Sequence, residues 1–170
     1  MLKLYIPKIE DYWYEEKLQS DEDTMSYNAG YEVSYFGYHY DTGCIDFPES
    51  RWQEMFEKRV KEHRFFAYLQ KDNLFVGYVN YQFNHEENRY ECGIVIDAKE
   101  RGKGYAKEGL KLLCEHAKKE GISSLYDEFE VDRPGVLVLF NQVGFRVVEY
   151  KYYQKFHQEV KGVVVKINLL

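Results

Sequence analysis

The sequence predicts a mixed α/β (α+β) fold: a central sheet of about seven strands, the second to fourth antiparallel, the fourth and fifth parallel, with about four helices. Three observations predict it. Segments 65–70, 74–83 and 90–97 are rich in aromatic and β-branched residues and are split by the polar turns Lys71-Asp72-Asn73 and 84–88, which reads as a meander of hairpins. The last of these strands, Glu91-Cys92-Gly93-Ile94-Val95-Ile96-Asp97, runs through a short loop into a long amphipathic helix and then into an apolar segment from Ile122 to about Phe129; a crossover this short makes the two strands parallel. Segments 145–156 and 160–169, around a polar turn near Gly162, read as a closing hairpin.

The remaining elements follow in order. Leu2 to Ile6 alternates apolar with Lys and Tyr before Pro7 stops it, giving a first strand, and a helix follows through Leu18. From Ser20 to Thr42 the chain is polar, acidic and aromatic, unsuited to regular core and suited to contacting a substrate. Pro48 sits where a first helical turn tolerates proline, and Trp52, Met55, Phe56 and Val60 recur at helical spacing, so a second helix ends near His63. A third runs from Gly104 to about Glu120, with Ala106, Leu110, Leu113 and Ala117 on one face and Gly121 as its cap. Val136-Leu137-Val138-Leu139-Phe140 is β-rich by propensity, yet residues 135–143 are expected to be helical, ending at Gly144, for a reason given below.

With 170 residues the chain suits a single domain, 1–170, with a sizeable core. A net charge of −6 argues against a nucleic-acid or anionic-membrane surface, because binding a phosphate backbone needs a basic face. The charge is uneven: seven carboxylates lie between Glu10 and Asp23 against Lys17 alone. Aromatic residues make up 18% of the chain, with 17 Tyr and 11 Phe, more than a core requires, so some of these rings should line a pocket. Cys44, Cys92 and Cys114 have neither disulfide nor zinc spacing, and the scattered histidines form no metal site. With no signal peptide and no membrane-length apolar run, a cytoplasmic location is expected.

Residues 91–120 carry the chemistry. A strand that feeds a glycine-rich turn and a helix start is a place where backbone N–H groups converge without partners, and such a place binds phosphate. Lys99, Arg101, Lys103 and Lys107 crowd that turn. Gly102 and Gly104 have no side chain to block a pyrophosphate, and Ala106 keeps the next turn small.

Arg101-x-x-Gly104-x-Ala106 at a strand-to-helix junction, followed downstream by Leu139-Phe140-x-x-x-Gly144-Phe145, resembles the GNAT superfamily of acetyl-CoA-dependent N-acetyltransferases. The resemblance is close over residues 64–156 and covers the N-terminal third in outline. It implies the GNAT fold, the helix at 135–143, and acetyl-CoA as the acetyl donor. It also implies a coenzyme A site of Arg101, Gly102, Lys103, Gly104, Tyr105 and Ala106, with the pantetheine arm along the backbone of Ile94 and Ile96 and with Phe140 and Arg133 nearby. Arg133 departs from the family's usual asparagine; it would reach a phosphate or remain a turn residue.

The implied reaction is direct attack of an amine on the thioester. The resemblance makes Glu91 the base and the Ile96 N–H the group that polarises the carbonyl, while an exposed strand glutamate paired with a cation is the plainer reading of Glu91. Phe140 replaces the family's usual acidic tyrosine, leaving Tyr150, Tyr152, Tyr153 or water to protonate the thiolate, or the coenzyme to leave as thiolate near a positive dipole. Cys92 points away from Glu91, and His85 is the one histidine expected near a cleft. The acceptor implied is a primary amine of a small cationic molecule or peptide, met by the acidic N-terminal third and by Tyr27, Tyr31, Tyr35, Tyr38 and Tyr40. A homodimer stays open. The alternative function is a non-catalytic acyl-CoA-binding or sensing module.

Overall fold

In a computed structural model describing residues 1–170, strands β1 (Leu2–Tyr5), β2 (Phe65–Lys71), β3 (Leu74–Asn84), β4 (Arg89–Ile96), β5 (Ser124–Glu130), β6 (Arg146–Lys155) and β7 (Gln158–Asn168) form one sheet. Their order is β1-β2-β3-β4-β5-β7-β6. Neighbours are antiparallel except β4 and β5, which are parallel, as expected. The helices are α1 (Trp13–Gln19), α2 (Glu22–Met25), α3 (Trp52–Lys61), α4 (Tyr105–Lys119) and α5 (Val136–Val143). Helix α2 is a single turn within the segment whose structure the sequence pattern leaves open.

Two hydrophobic layers sandwich the sheet. On one face α4 lays Leu110, Leu113 and Ala117, all fully buried, over Leu69, Val79 and Leu125. Burial of each such leucine contributes about 1.5–3 kcal/mol. Gly109 lets that helix come close, since a Cβ there would stand 2.6 Å from Leu69 Cδ1. On the other face Tyr14 and Leu18 of α1 cover Tyr68, Tyr78 and Val95.

Helix α5 forms against its β-rich composition because both ends are set by glycines and its middle is set by packing. Gly135 takes φ 74° at its start and Gly144 φ 125° at its end. Phe140 is buried with ring centroids 5.0 Å from those of Phe129 and Phe145.

Two expected boundaries move. Pro48 precedes a 3-10 turn over Glu49–Arg51, and the α-helix starts only at Trp52. The closing hairpin turns at Phe156 and His157, both left-handed at φ 50° and 61°, not near Gly162. Gly162 lies inside β7, where a Cβ would overlap the Tyr153 ring of the facing strand. The glycine serves close approach rather than a bend.

Residues 26–45 pass over the same face as α1 and tie the N-terminal third to the far end of the sheet. The Phe156 N–H donates to the Gly30 carbonyl (2.8 Å), and Tyr31 forms an isolated antiparallel bridge with Lys155.

Candidate active site

The parallel strands β4 and β5 pair only at Glu91 and Tyr126 and then splay apart. Bonded and non-bonded pairs alternate along the antiparallel β3–β4 ladder. The Asp97 N–H donates to the Val76 carbonyl, which assigns Val95 and Gly93 to the bonded set facing β3. The N–H and C=O groups of Ile94 and Ile96 therefore point into the gap. A similar count on β5 points the Glu128 amide at β4. That amide is taken instead by its neighbour, donating to Asp127 Oδ1 at 2.8 Å. The next rung of the parallel ladder is thereby withheld.

This gap opens into a cleft of about 880 Å³ that runs to the start of α4. Gly102 and Gly104 there adopt φ 80° and 84°, and no atom lies within 4 Å of a Cβ added to either. No protein group accepts the N–H of any residue from 102 to 107; the first α4 bond of the helix ladder is from Glu108 to the Gly104 carbonyl. Six free donors at the positive end of a 15-residue helix form a site for a phosphate or diphosphate. The residues present thus fit the coenzyme: a donor-lined cradle at one end, and an unpaired strand edge for amide groups leading from it.

Of the expected coenzyme residues, Ile94, Ile96, Arg101, Gly102, Gly104, Tyr105, Ala106, Arg133 and Phe140 come together around this cleft. Lys103 does not; it extends to Glu100 at 2.7 Å. Arg101 lines the cleft, but its guanidinium donates to the carbonyls of Asp23 (3.3 Å) and Thr24 (3.0 Å), fastening α2 to the turn. The Thr24 hydroxyl also accepts the Ala98 N–H. Arg133 projects over the Tyr27 ring, 4.7 Å from its centroid, at the mouth of the cleft.

Glu91 stands on the opposite face of β4 and does not line the cleft. Its carboxylate accepts Arg89 Nε and Asn84 Nδ2, each at 2.9 Å, so the plainer sequence reading, a strand glutamate facing a cation, describes it. None of the three tyrosines considered as proton donors reaches the cleft. Tyr150 and Tyr152 are exposed, and the Tyr153 hydroxyl donates to Glu128. Cys92 is buried on the face away from Glu91, and burial holds its thiol well above the usual range. His85 is exposed against Phe83 and does not line the cleft.

Several cleft residues were not expected there, among them Tyr27 as a coenzyme-side group and Asp127. Asp127 shares a strand face with the core residues Leu125 and Phe129, and an acid at a core-parity position is a signal the alternation carried. Burial pushes its carboxyl up to about 8.

A second cavity, of about 410 Å³, lies beside the Tyr78–Asn80–Gln82 face of β3, roofed by Tyr35 and Phe36 and by α3. Arg51, Lys58, Arg59 and Arg64 line it, against Glu15, Asp46 and Glu54. Of the acidic N-terminal run, Glu15 alone lines either cavity. Glu15, buried, forms a bidentate pair with Arg59 (2.9 and 2.8 Å), and Asp11 accepts the Tyr5 hydroxyl. Of the five tyrosines expected around the acceptor, Tyr27 and Tyr35 border a cavity. Tyr31 bonds to Glu130, Tyr38 bonds to Asn28 and Tyr40 packs on Phe156.

No curated protein matches the sequence significantly. The fold is similar to that of an N-acetyltransferase from Staphylococcus aureus Mu50, with 18% identity over 100% of this chain and 99% of the other and a TM-score of 0.77. It is likewise similar to a ribosomal-protein-alanine N-acetyltransferase from Brucella melitensis, at 16% identity, 99% of each chain and a TM-score of 0.76. A spermidine N-acetyltransferase from Vibrio cholerae in complex with CoA and spermine gives 16% identity, 99% of this chain, 95% of the other and a TM-score of 0.78. The acetyltransferase (GNAT) family model matches residues 10–145. Because that match runs from α1 past the free amides of the glycine turn to the end of α5, the chain belongs to the GNAT acetyltransferase family.

Proposed function

We propose that this chain transfers the acetyl group of acetyl-CoA to a primary amine by direct attack. The observation that carries the reading is the run of six unpartnered amides at residues 102–107, with open space beside Gly102 and Gly104, at one end of the cleft that leads to the free edge of β4. Those amides hold the diphosphate, and the backbone of Ile94 and Ile96 holds the pantetheine arm as an added strand. Acetyl-CoA supplies, when bound, an activated acyl carbon. The Ile96 N–H, and that of Ile94 one rung nearer the strand junction, face the gap and supply donors for the developing oxyanion. Both Glu91 oxygens already accept hydrogen bonds from Arg89 and Asn84. Glu91 is therefore held as an ion-paired carboxylate on the far face of the sheet, and the amine's proton passes to solvent.

Relatives of the same fold named for spermidine and for ribosomal-protein alanine support an amine acceptor. The near-balanced charge of the second cavity, four cations against three carboxylates, favours a peptide amine over a polycation. Calorimetry with coenzyme A, combined with thiol release from acetyl-CoA over a panel of peptides and polyamines, tests this. The expected result is binding, with fastest release on a peptide amine. Binding with no release on any amine would leave the non-catalytic acyl-CoA module, and absence of binding would overturn both.

A further inference from the structure

A thiolate leaving in direct acyl transfer departs more readily when it is protonated, and α5 has no group to give the proton. Its cleft-lining residues are Val136, Leu139, Gln142 and Phe140, the last a phenyl ring buried between Phe129 and Phe145, and none carries an acidic proton. Asp127 stands in the same cleft, one residue beyond Tyr126, where the two parallel strands last touch. Strand alternation puts it on the face of Phe129, which packs on Phe140, and opposite the face of Glu91 and Tyr126. Its Oδ1 is committed to the Glu128 amide. Oδ2 has no protein partner. The carboxyl therefore stands at the apex of the gap, fixed by one oxygen and free at the other, on the side where α5 offers no hydroxyl.

We propose, resting on the acetyltransferase reading, that Asp127 is the catalytic acid that protonates the departing coenzyme A thiolate. As the amine nitrogen bonds to the acyl carbon, the carbon–sulfur bond breaks and its electron pair goes to sulfur. The proton on Asp127 Oδ2 moves to that sulfur. The amine's surplus proton goes to solvent, and solvent restores the proton on Asp127, so the cycle releases amide and free thiol. A carboxyl pushed up to about 8 by burial holds its proton at neutral pH and is matched to a thiol. Tyr27, which lines the cleft along with the hydroxyls of Thr24, Ser26 and Tyr105, packs against the aromatic layer under α1, on the other face of the sheet.

Asp127→Asn tests the assignment while keeping an oxygen for the Glu128 amide. The expected variant binds coenzyme A within about twofold of the parent and loses about a hundredfold or more in kcat. The parent's kcat falls above about pH 8, where the acid is deprotonated, and the variant lacks that limb. A readout independent of turnover is the carboxyl carbon of Asp127 followed by NMR, expected to titrate near 8 in the free protein. Turnover by the variant within threefold of the parent, or a titration midpoint below about 6, would overturn the assignment and leave the acetyltransferase reading intact. A parent that binds coenzyme A yet acetylates no amine would remove both.

Discussion

Gly104 separates stability from binding at the level of one atom. It holds φ 84° at the start of α4, and a Cβ there meets nothing within 4 Å. Alanine would be strained by about 1–2 kcal/mol in the left-handed region, and its methyl would stand beside the free amides. Gly121, also at φ 84° with open space around it, ends the same helix away from the cleft. Gly104→Ala and Gly121→Ala should therefore lower Tm by similar amounts of a few degrees. The first should also weaken coenzyme A binding tenfold or more by calorimetry, and equal affinities for the two variants would show that the cradle is not the phosphate site. At this scale the glycines, Ala106 and Phe140 were legible, because their meaning lies in the size of a side chain at a local position. The place of Arg101 was not. Its carbonyl partners come from residues 78 and 77 positions away, and nothing local distinguishes an arginine aimed at phosphate from one tied to a distant helix end.

Among the elements, α1 and α3 are coupled by charge inside an aromatic setting. Glu15 and Arg59 pair through two bonds, with the guanidinium 3.7 Å from the centroid of the Phe66 ring and Glu15 only 2% exposed. Removing one partner strands a buried charge, which costs about 3–5 kcal/mol. Glu15→Ala should accordingly lower Tm by about 10 °C in a chain of this size, while the double variant Glu15→Ala with Arg59→Met recovers part of the loss. A thermal melt in which the single variant loses under 2 °C would show the pair to be solvated. The meander and the crossover were legible in the sequence because each strand is bounded by its own turn residues. The last hairpin was misplaced for the converse reason. Gly162 looks like punctuation, whereas Phe156 and His157, which make the turn, carry no turn signature, and only the packing of Tyr153 against β7 explains the glycine.

For the whole molecule, the consequential feature is a seven-stranded sheet that is interrupted in its middle rather than at its edge. No periodicity announces this, since β4 and β5 both read as ordinary buried strands; the resemblance to a family was the only hint that their carboxyl ends separate. The interruption makes an unusual prediction for hydrogen exchange. Amides of central strands are generally the slowest to exchange. Val95 should follow that rule, because its N–H faces β3, opposite Tyr78. Ile94 and Ile96, its immediate neighbours, face the gap and should exchange orders of magnitude faster in the free protein. Coenzyme A, bonding to that edge as an added strand, should slow both while changing Val95 little, and at a hundred times Kd should stabilise the fold by about 2.7 kcal/mol. Residue-resolved exchange with and without coenzyme A reads all three amides in one experiment. Equal protection of Ile94, Val95 and Ile96 in the free protein would mean that β4 and β5 close along their length in solution, leaving the pantetheine arm nowhere to lie.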